Sequence, residues 1–236
     1  MFNDNNQYPY RTDWQSFEVC CLDISLFNRY QEGLYLASLY HWVSARFDRC
    51  IINLGDGLHR HNMAHEFSDM QLAHDAANAL GQQWIADHKE QLGYMRIPHE
   101  LLRSDYWLAH SEFEATHDAL WDYYYGDRSF KAVVDADVET FVTRRQDLPE
   151  GVVRKASLSY LLEETAADII LGRETGVAHL YPGHRHGCYG HLVQHKDAVP
   201  DILRGLENSA FKRVSPSRIS LRAKDIPAEA LKRKAS

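Results

Sequence analysis

The chain has 236 residues, 44% hydrophobic and 25% charged, which is enough for one domain with a substantial core and ordinary for a soluble globular protein. No apolar run approaches the roughly 18 residues of a membrane span, and the polar start Met1-Phe2-Asn3-Asp4-Asn5-Asn6 lacks the basic-then-apolar layout of a secretion signal. A cytoplasmic protein without membrane contact is therefore expected, and its net charge of −7 is unevenly spread along the chain.

Residues 1–16 are polar and read as a flexible N-terminus. Residues 17–24 contain the run Val19-Cys20-Cys21-Leu22, the pattern of a strand buried on both faces. Residues 33–47 carry Leu36, Leu39, Trp42, Val43 and Phe47 at helical spacing. A second short strand, residues 50–54, stops at Gly55-Asp56-Gly57. Strand, helix and strand in that order make a βαβ unit, which implies a parallel sheet.

Residues 68–86 read as a helix with Ser68 as N-cap and Gly81 as a weak point. Met95-Arg96-Ile97 reads as a third strand stopped by Pro98. Helices are expected over 104–124, 129–146 and 158–171, the last ended by Gly172, and then a strand over 176–181 stopped by Pro182. No repeat or composition break marks a second domain, so one doubly wound α/β domain over residues 17–203 is the simplest fold. The remaining 204–236 hold nine Lys/Arg against three Asp/Glu, while the first 203 residues hold 17 against 30. That basic C-terminal segment fits either a polyanion-binding enzyme or a solvated tail.

In such sheets ligands bind beyond the carboxyl ends of the strands. Ser25, Asp56 and Tyr181 all fall there. A serine at a strand end is by itself most often a cap or turn residue, but Asn28 lies three residues on, within reach of a group reacting over Ser25. Tyr160 and Glu164 are four apart and share one helix face, whereas Glu163 points about 100° away and reads as solvated or structural. A tyrosine at a strand end is usually a core-edge aromatic with its hydroxyl in water. His184, His186, Cys188, His191 and His195 crowd one loop, and His59, His61 and His65 another, but neither group has an established ligand spacing, so no metal is expected. Cys20, Cys21, Cys50 and Cys188 form no Cys-x-x-Cys pair and read as buried reduced thiols. Phosphate-cradling glycine loops are absent, and no cofactor is expected.

Taken together, these segments resemble the tRNA-dependent cyclodipeptide synthase family. The resemblance rests on Ile24-Ser25-Leu26-Phe27-Asn28 after the first strand, the Tyr160 to Glu164 helix pair and the strand ending in Tyr181. Softer matches are Asp56 through Asn62 and Phe130-Lys131-Ala132-Val133. The resemblance implies a single Rossmann-like domain with a parallel sheet flanked by helices, similar to the catalytic domains of class I tyrosyl- and tryptophanyl-tRNA synthetases. It also implies a monomeric aminoacyltransferase that draws two amino acids from aminoacyl-tRNA and closes them into a diketopiperazine, a step of secondary metabolism. Ser25 would be the covalent nucleophile, with Asn28, Tyr160, Glu164 and Tyr181 as the other catalytic residues.

The chain departs from the family's usual pattern in having Thr165-Ala166 after Glu164, Asn28 together with Tyr181-Pro182, and few basic residues in the helix after Asn62. These departures point to a divergent branch, the fungal arginine-using synthases. The residue two before the serine is usually small in the family and lines the first amino-acid pocket; here it is Asp23. A guanidinium in a dry pocket needs a carboxylate, so Asp23 implies arginyl-tRNA as a substrate, with Asp56, Glu163 and Asp168 as alternative partners. Asp23 capping a turn near the strand end is an equal reading. One rival function, a serine-dependent aminoacyl-ester hydrolase, uses the same Ser25 with water as acceptor; a second is a non-catalytic tRNA-binding module, for which the basic C-terminal segment would suffice. A metal enzyme built on the histidine loops is a third.

Overall fold

The computed structural model describes residues 13–145, 147–183 and 185–214. The expectations for the first dozen residues, for His184 and for most of the basic C-terminal segment lie outside the described residues. Five strands form one sheet: β1 (Val19–Ile24), β2 (Arg49–Leu54), β3 (His99–Arg103), β4 (Ala178–Tyr181) and β5 (Ala210–Arg213). Every pairing is parallel and the order is β3-β2-β1-β4-β5. The chain winds outward from β1 in one direction through β2 and β3, then in the other through β4 and β5. The reversal point of such a sheet lies between β1 and β4, where the connections diverge and leave a crevice at the carboxyl ends.

Helices cover both faces. α1 (Gly33–Ser44), α3 (Met70–Asp87) and α4 (Lys89–Leu92) lie on one side, where Cys20, Leu22, Ile24, Cys50, Ile52, Leu54, Ala178 and Leu180 pack with Leu36, Leu39, Tyr40 and Trp84. α6 (Phe113–Gly126), α7 (Arg128–Val142), α8 (Glu150–Glu174) and α9 (Gly187–Gln194) lie on the other, against Cys21 and Ile51. Short helices α2 (His59–Met63) and α5 (Ser104–Leu108) follow β2 and β3 directly. Alternate residues of a strand face opposite sides. With Cys20, Leu22 and Ile24 turned toward α1, Cys21 and Asp23 face α8. By the same alternation Asn53 of β2 and His179 and Tyr181 of β4 face α8 as well. α8 is central, buried on almost every side from Leu161 to Gly172, and accordingly shows little amphipathic pattern.

Several boundaries differ from those read in the sequence. The third strand is His99–Arg103, not 95–97. Pro98 precedes the strand, and its carbonyl accepts from Cys50 N at 3.0 Å; proline is tolerated at the start of an edge strand. The helix expected over 104–124 is two, α5 and α6, because His110 leaves the helical path to pair with Glu174 and to accept from Glu112 N. α3 is capped by Asp69 rather than Ser68, Asp69 Oδ1 accepting from Leu72 N at 2.9 Å. α8 begins eight residues earlier than expected, just after Pro149. α9 and β5 were not anticipated. β5 lies inside the segment read as a basic tail, so the sheet runs on past residue 203. Its residues Ala210-Phe211-Lys212-Arg213 have the short, cationic character of a protected edge.

Candidate active site

Ser25 is the first residue after β1. Its hydroxyl lies 3.1 Å from the Tyr181 hydroxyl at the end of β4, so the two strands flanking the reversal point each contribute one group. The Tyr160 phenol, on α8, also lies beside Ser25, which opposes the rise in its pKa. Burial pushes the Tyr160 phenol up, and the nearby Glu164 and Tyr181 push it further. Burial likewise raises Tyr181, with Ser25 opposing and Glu164 adding to the rise. Both phenols therefore hold their protons at neutral pH. Asn28 caps the short turn Arg29–Gln31, its Oδ1 accepting from Tyr30 N at 3.1 Å, and it is close enough to Tyr181 to oppose the rise of that phenol.

The turn bearing Ser25 is clamped by a residue that sequence reading passed over. Gln31 is fully buried; its Oε1 accepts from Ser25 N at 2.9 Å and its Nε2 donates to the Asp23 carbonyl. Gly183 serves the other strand end. A Cβ there would come within 2.4 Å of the Tyr181 ring, so glycine is what lets the chain turn against that ring.

Below Ser25 the strands present polar side chains to α8. Asp23 Oδ2 pairs with His179 Nδ1 at 3.0 Å, and its Oδ1 accepts from Asn53 Nδ2 at 3.2 Å and from the Cys21 thiol at 3.3 Å. Asp168 faces this group from α8, one turn beyond Glu164. Burial drives Asp168 up to about 7, although His179 opposes this; Asp23 and Glu164 add to the rise. Burial works against a charged His179, but Asp168 and Asp23 outweigh it and raise its pKa. Glu164 Oε2 lies 3.4 Å from His186 Nε2. There too burial opposes the imidazolium, and Glu164 overcomes it. Sequence spacing gave no sign of His179 or His186 in this role, although a histidine between the buried residues of a short strand was the available hint.

Two cavities meet at Ser25, both lined by Asp23, Ser25, Glu164 and Asp168. The larger, about 380 Å³, is also bounded by Tyr160, His179, Tyr181, Arg185 and His186. The smaller is about 30 Å³, reaching Asn53, Trp107 and Glu163. Only the larger can take an aminoacyl group whole.

Asp56 lines neither cavity. It is fully buried, its carboxylate accepting from Arg103 Nε at 2.6 Å, Gly57 N at 2.9 Å and Ser104 N at 3.2 Å. A Cβ on Gly81 would overlap that carboxylate at 2.0 Å, so the glycine that looked like a weak point in α3 is the clearance Asp56 needs. Glu163 is not solvated: it is buried and holds Arg60 and, at 2.9 Å, His61 Nε2. Burial would raise its pKa, but His61 and Arg60 lower it.

The histidine loops disperse to separate partners. His59 meets Phe27 and Tyr160, His61 meets Glu163, and His65 meets Glu66. Cys188 is buried against Thr165, and His191 packs on His195. Among the described residues, the one group of three or more with metal-ligand atoms within 4.8 Å of one another is Cys21, Asp23 and His179, the hydrogen-bonded chain described above. All four cysteines are free and buried. Among the described residues no helix is long and apolar enough to cross a membrane.

No protein-family model matches the sequence, and no curated protein sequence does. Solved structures do match. A cyclodipeptide synthase from Fluoribacter dumoffii superposes with a TM-score of 0.72 at 21% identity, over 86% of this chain and 95% of that one. A Mycobacterium tuberculosis protein, whose structure relates cyclodipeptide synthetases to type I tRNA synthetases, gives 0.66 at 16% identity, over 86% and 87%. The cyclodipeptide synthase from Candidatus Glomeribacter gigasporarum, bound to Phe-tRNAPhe, gives 0.65 at 19% identity, over 82% and 86%. Over most of its length, then, this chain has the fold of the cyclodipeptide synthases.

Proposed function

We propose that the protein is a tRNA-dependent cyclodipeptide synthase. The observation that carries this reading is the Ser25 hydroxyl 3.1 Å from that of Tyr181, in a cavity that Tyr160 also lines, at the strand-end crevice of a fold shared with such enzymes. An aminoacyl-tRNA is already an activated ester, so the chemistry requires no ATP.

Ser25 Oγ attacks the aminoacyl carbonyl, the bond to the ribose oxygen breaks, and the serine proton passes to that departing oxygen. Splitting a difficult transfer into two acyl steps is the gain of covalent catalysis. An ammonium cannot attack a carbonyl, so the new seryl-bound residue must lose a proton first. Glu164, poised by His186, accepts it, and Tyr160 hydrogen-bonds the amine. That amine attacks the second aminoacyl-tRNA, an amide forms and the second tRNA leaves, with a dipeptide on Ser25. The free amine of the dipeptide then attacks the Ser25 ester; the second amide forms, the C–Oγ bond breaks, and Tyr181 returns a proton to Oγ. Closure needs a cis amide, costing about 2.5–4 kcal/mol, which the high effective molarity of a dipeptide folded against Ser25 offsets. Asn28 donates to the developing oxyanion.

Arginine is the substrate side chain this reading favours. Four carboxylates, Asp23, Asp137, Glu164 and Asp168, line one cavity, and a guanidinium is the group best matched to several carboxylates at once. Asp23 is already paired with His179, so Asp168, which lines the same cavity, is the alternative partner for an incoming cation. The product would be a cyclic dipeptide containing arginine, as in the fungal arginine-using branch.

The test is mass spectrometry of purified protein with bulk charged tRNA, following both the product and the mass of the protein. A cyclic dipeptide that disappears in Ser25→Ala supports the reading. Free amino acid alone would make the protein a deacylase. Neither product nor adduct would leave a tRNA-binding module.

A further inference from the structure

One residue stands against the burial pattern of the site. Phe27 lies two positions after Ser25 and is 70% exposed. Its φ is +64°, and it is the one non-glycine among the described residues with a positive φ. Bulky side chains avoid this region, and where they occupy it the surroundings must hold them there. Leu26, before it, is buried, so the left-handed step turns the next ring outward. The ring remains coupled to the site: it meets His59 edge-on at 5.5 Å, and His59 meets Tyr160 edge-on at 6.4 Å.

Its neighbours have the same character. Arg29 is exposed and makes no ion pair among the described residues; its guanidinium lies 4.8 Å over the Tyr30 ring and donates to the Tyr30 hydroxyl. Tyr35, 47% exposed, packs edge-on against Tyr30. Rings and an unpaired guanidinium displayed together match single-stranded nucleic acid, whose bases stack on aromatics and whose phosphates pair with arginine.

We propose that Phe27 is the stacking platform for the 3′-terminal adenine of the donor tRNA, with Arg29 against the neighbouring phosphate. The inference rests on the cyclodipeptide synthase reading. The ester that Ser25 must break sits on the ribose of that same terminal nucleotide. The base therefore has to lie within one nucleoside of Ser25, and two residues of chain span no more than about 7 Å. Phe27 is thus a positioning residue: it orients the nucleoside and leaves the acyl chemistry to Ser25.

The experiment compares two acyl donors for Ser25: charged tRNA, and the cyanomethyl ester of whichever amino acid is recovered on Ser25. The ester has no nucleotide. Phe27→Ala is expected to lower kcat/KM for charged tRNA, relative to the ester, roughly ten- to a hundredfold, mainly through KM. Phe27→Trp is expected to restore the ratio. Arg29→Ala is expected to reduce the log–log salt slope with charged tRNA by about 1. A ratio within twofold of wild type in Phe27→Ala overturns the proposal. Equal loss with both donors overturns it too, since Phe27 would then merely shape the Ser25 turn. If wild-type Ser25 takes acyl groups from neither donor, the synthase reading fails and the proposal falls with it.

Discussion

Asp56 gives the sharpest test of the geometry, because its sequence position suggests substrate binding whereas its environment makes it a structural anchor. In Asp56→Ala three donors lose their acceptor: Arg103 Nε, Gly57 N and Ser104 N. Arg103 keeps the Asn78 carbonyl at 2.8 Å and some solvent, so it is cushioned. The two backbone N–H groups are buried, and each costs about 1–3 kcal/mol when orphaned. Breaking a buried ion pair from one side costs about 3–5 kcal/mol. These penalties overlap, and about 3–5 kcal/mol is the expected total. For a chain of this size that lowers Tm by about 6–20 °C. Asp56→Asn keeps one oxygen for the two N–H groups but puts its amide nitrogen where Oδ2 accepted from Arg103; it loses the charge and that one bond, and should cost about 1–3 kcal/mol. Urea unfolding followed by circular dichroism, with calorimetry for Tm, measures both. The reasoning is refuted if both variants lie within ~0.5 kcal/mol of wild type, or if Asn is as damaging as Ala. Full stability with lost use of charged tRNA would return Asp56 to the substrate-binding role.

The Asp168–His179 pair predicts a pH dependence. Asp168 titrates near 7 in the folded chain against 3.8 ordinarily, so between those values the native state binds more protons than the unfolded one and stability falls as pH rises. His179, also raised, stabilises fully below its ordinary range and loses that contribution as pH climbs through its folded pKa, in the same direction. Asp168→Asn should therefore flatten the fall in unfolding free energy between pH 5 and 8; a slope parallel to wild type would contradict the assignment. Tyr181→Phe removes the hydroxyl beside Ser25 and should slow cyclic dipeptide release roughly 100-fold with the dipeptidyl-enzyme accumulating, visible by intact-protein mass. Gln31→Ala takes a side-chain partner from the part-buried Ser25 N and Asp23 carbonyl and should lower unfolding free energy by about 1–3 kcal/mol in the same urea assay.

Much of the sheet was legible because β1 and β2 each carry a short apolar run, Val19-Cys20-Cys21-Leu22 and Cys50-Ile51-Ile52, the second followed by Gly55-Asp56-Gly57, a pattern that local chemistry alone produces. Edge elements were not. β3 and β5 carry charge and are only partly buried, so their strand character comes from a neighbour's hydrogen bonds rather than their own side chains. α9, Gly187-Cys188-Tyr189-Gly190 onward, is poor in helix formers and is held by Asp137, which accepts from Gly187 N and Cys188 N, each at 2.9 Å. In the site, Tyr160 and Glu164 could be paired from helical spacing, since that contact is local. The meeting of Ser25 with Tyr181, and of Asp23 with His179, spans 156 residues in each case, and only strand order brings them together. Family resemblance supplied the first pair. The second pair, and Gln31, came from the fold.

Tyr160, Glu164 and Asp168 are successive fourth residues of one unbroken 25-residue helix, spaced about 6 Å apart along its axis. The helix works as a ruler laid beside the cavity, with a phenol, a carboxylate and a buried acid as its graduations. A ruler of this kind tolerates a new mark more readily than a new length. Replacing a graduation would retune which charge is met at which depth. Inserting one residue between Tyr160 and Asp168 would swing every later graduation by about 100° and turn the scale away from Ser25. Divergence of substrate choice on this scaffold should accordingly proceed by substitution along this stretch of α8, with insertions and deletions confined to the loops at its ends.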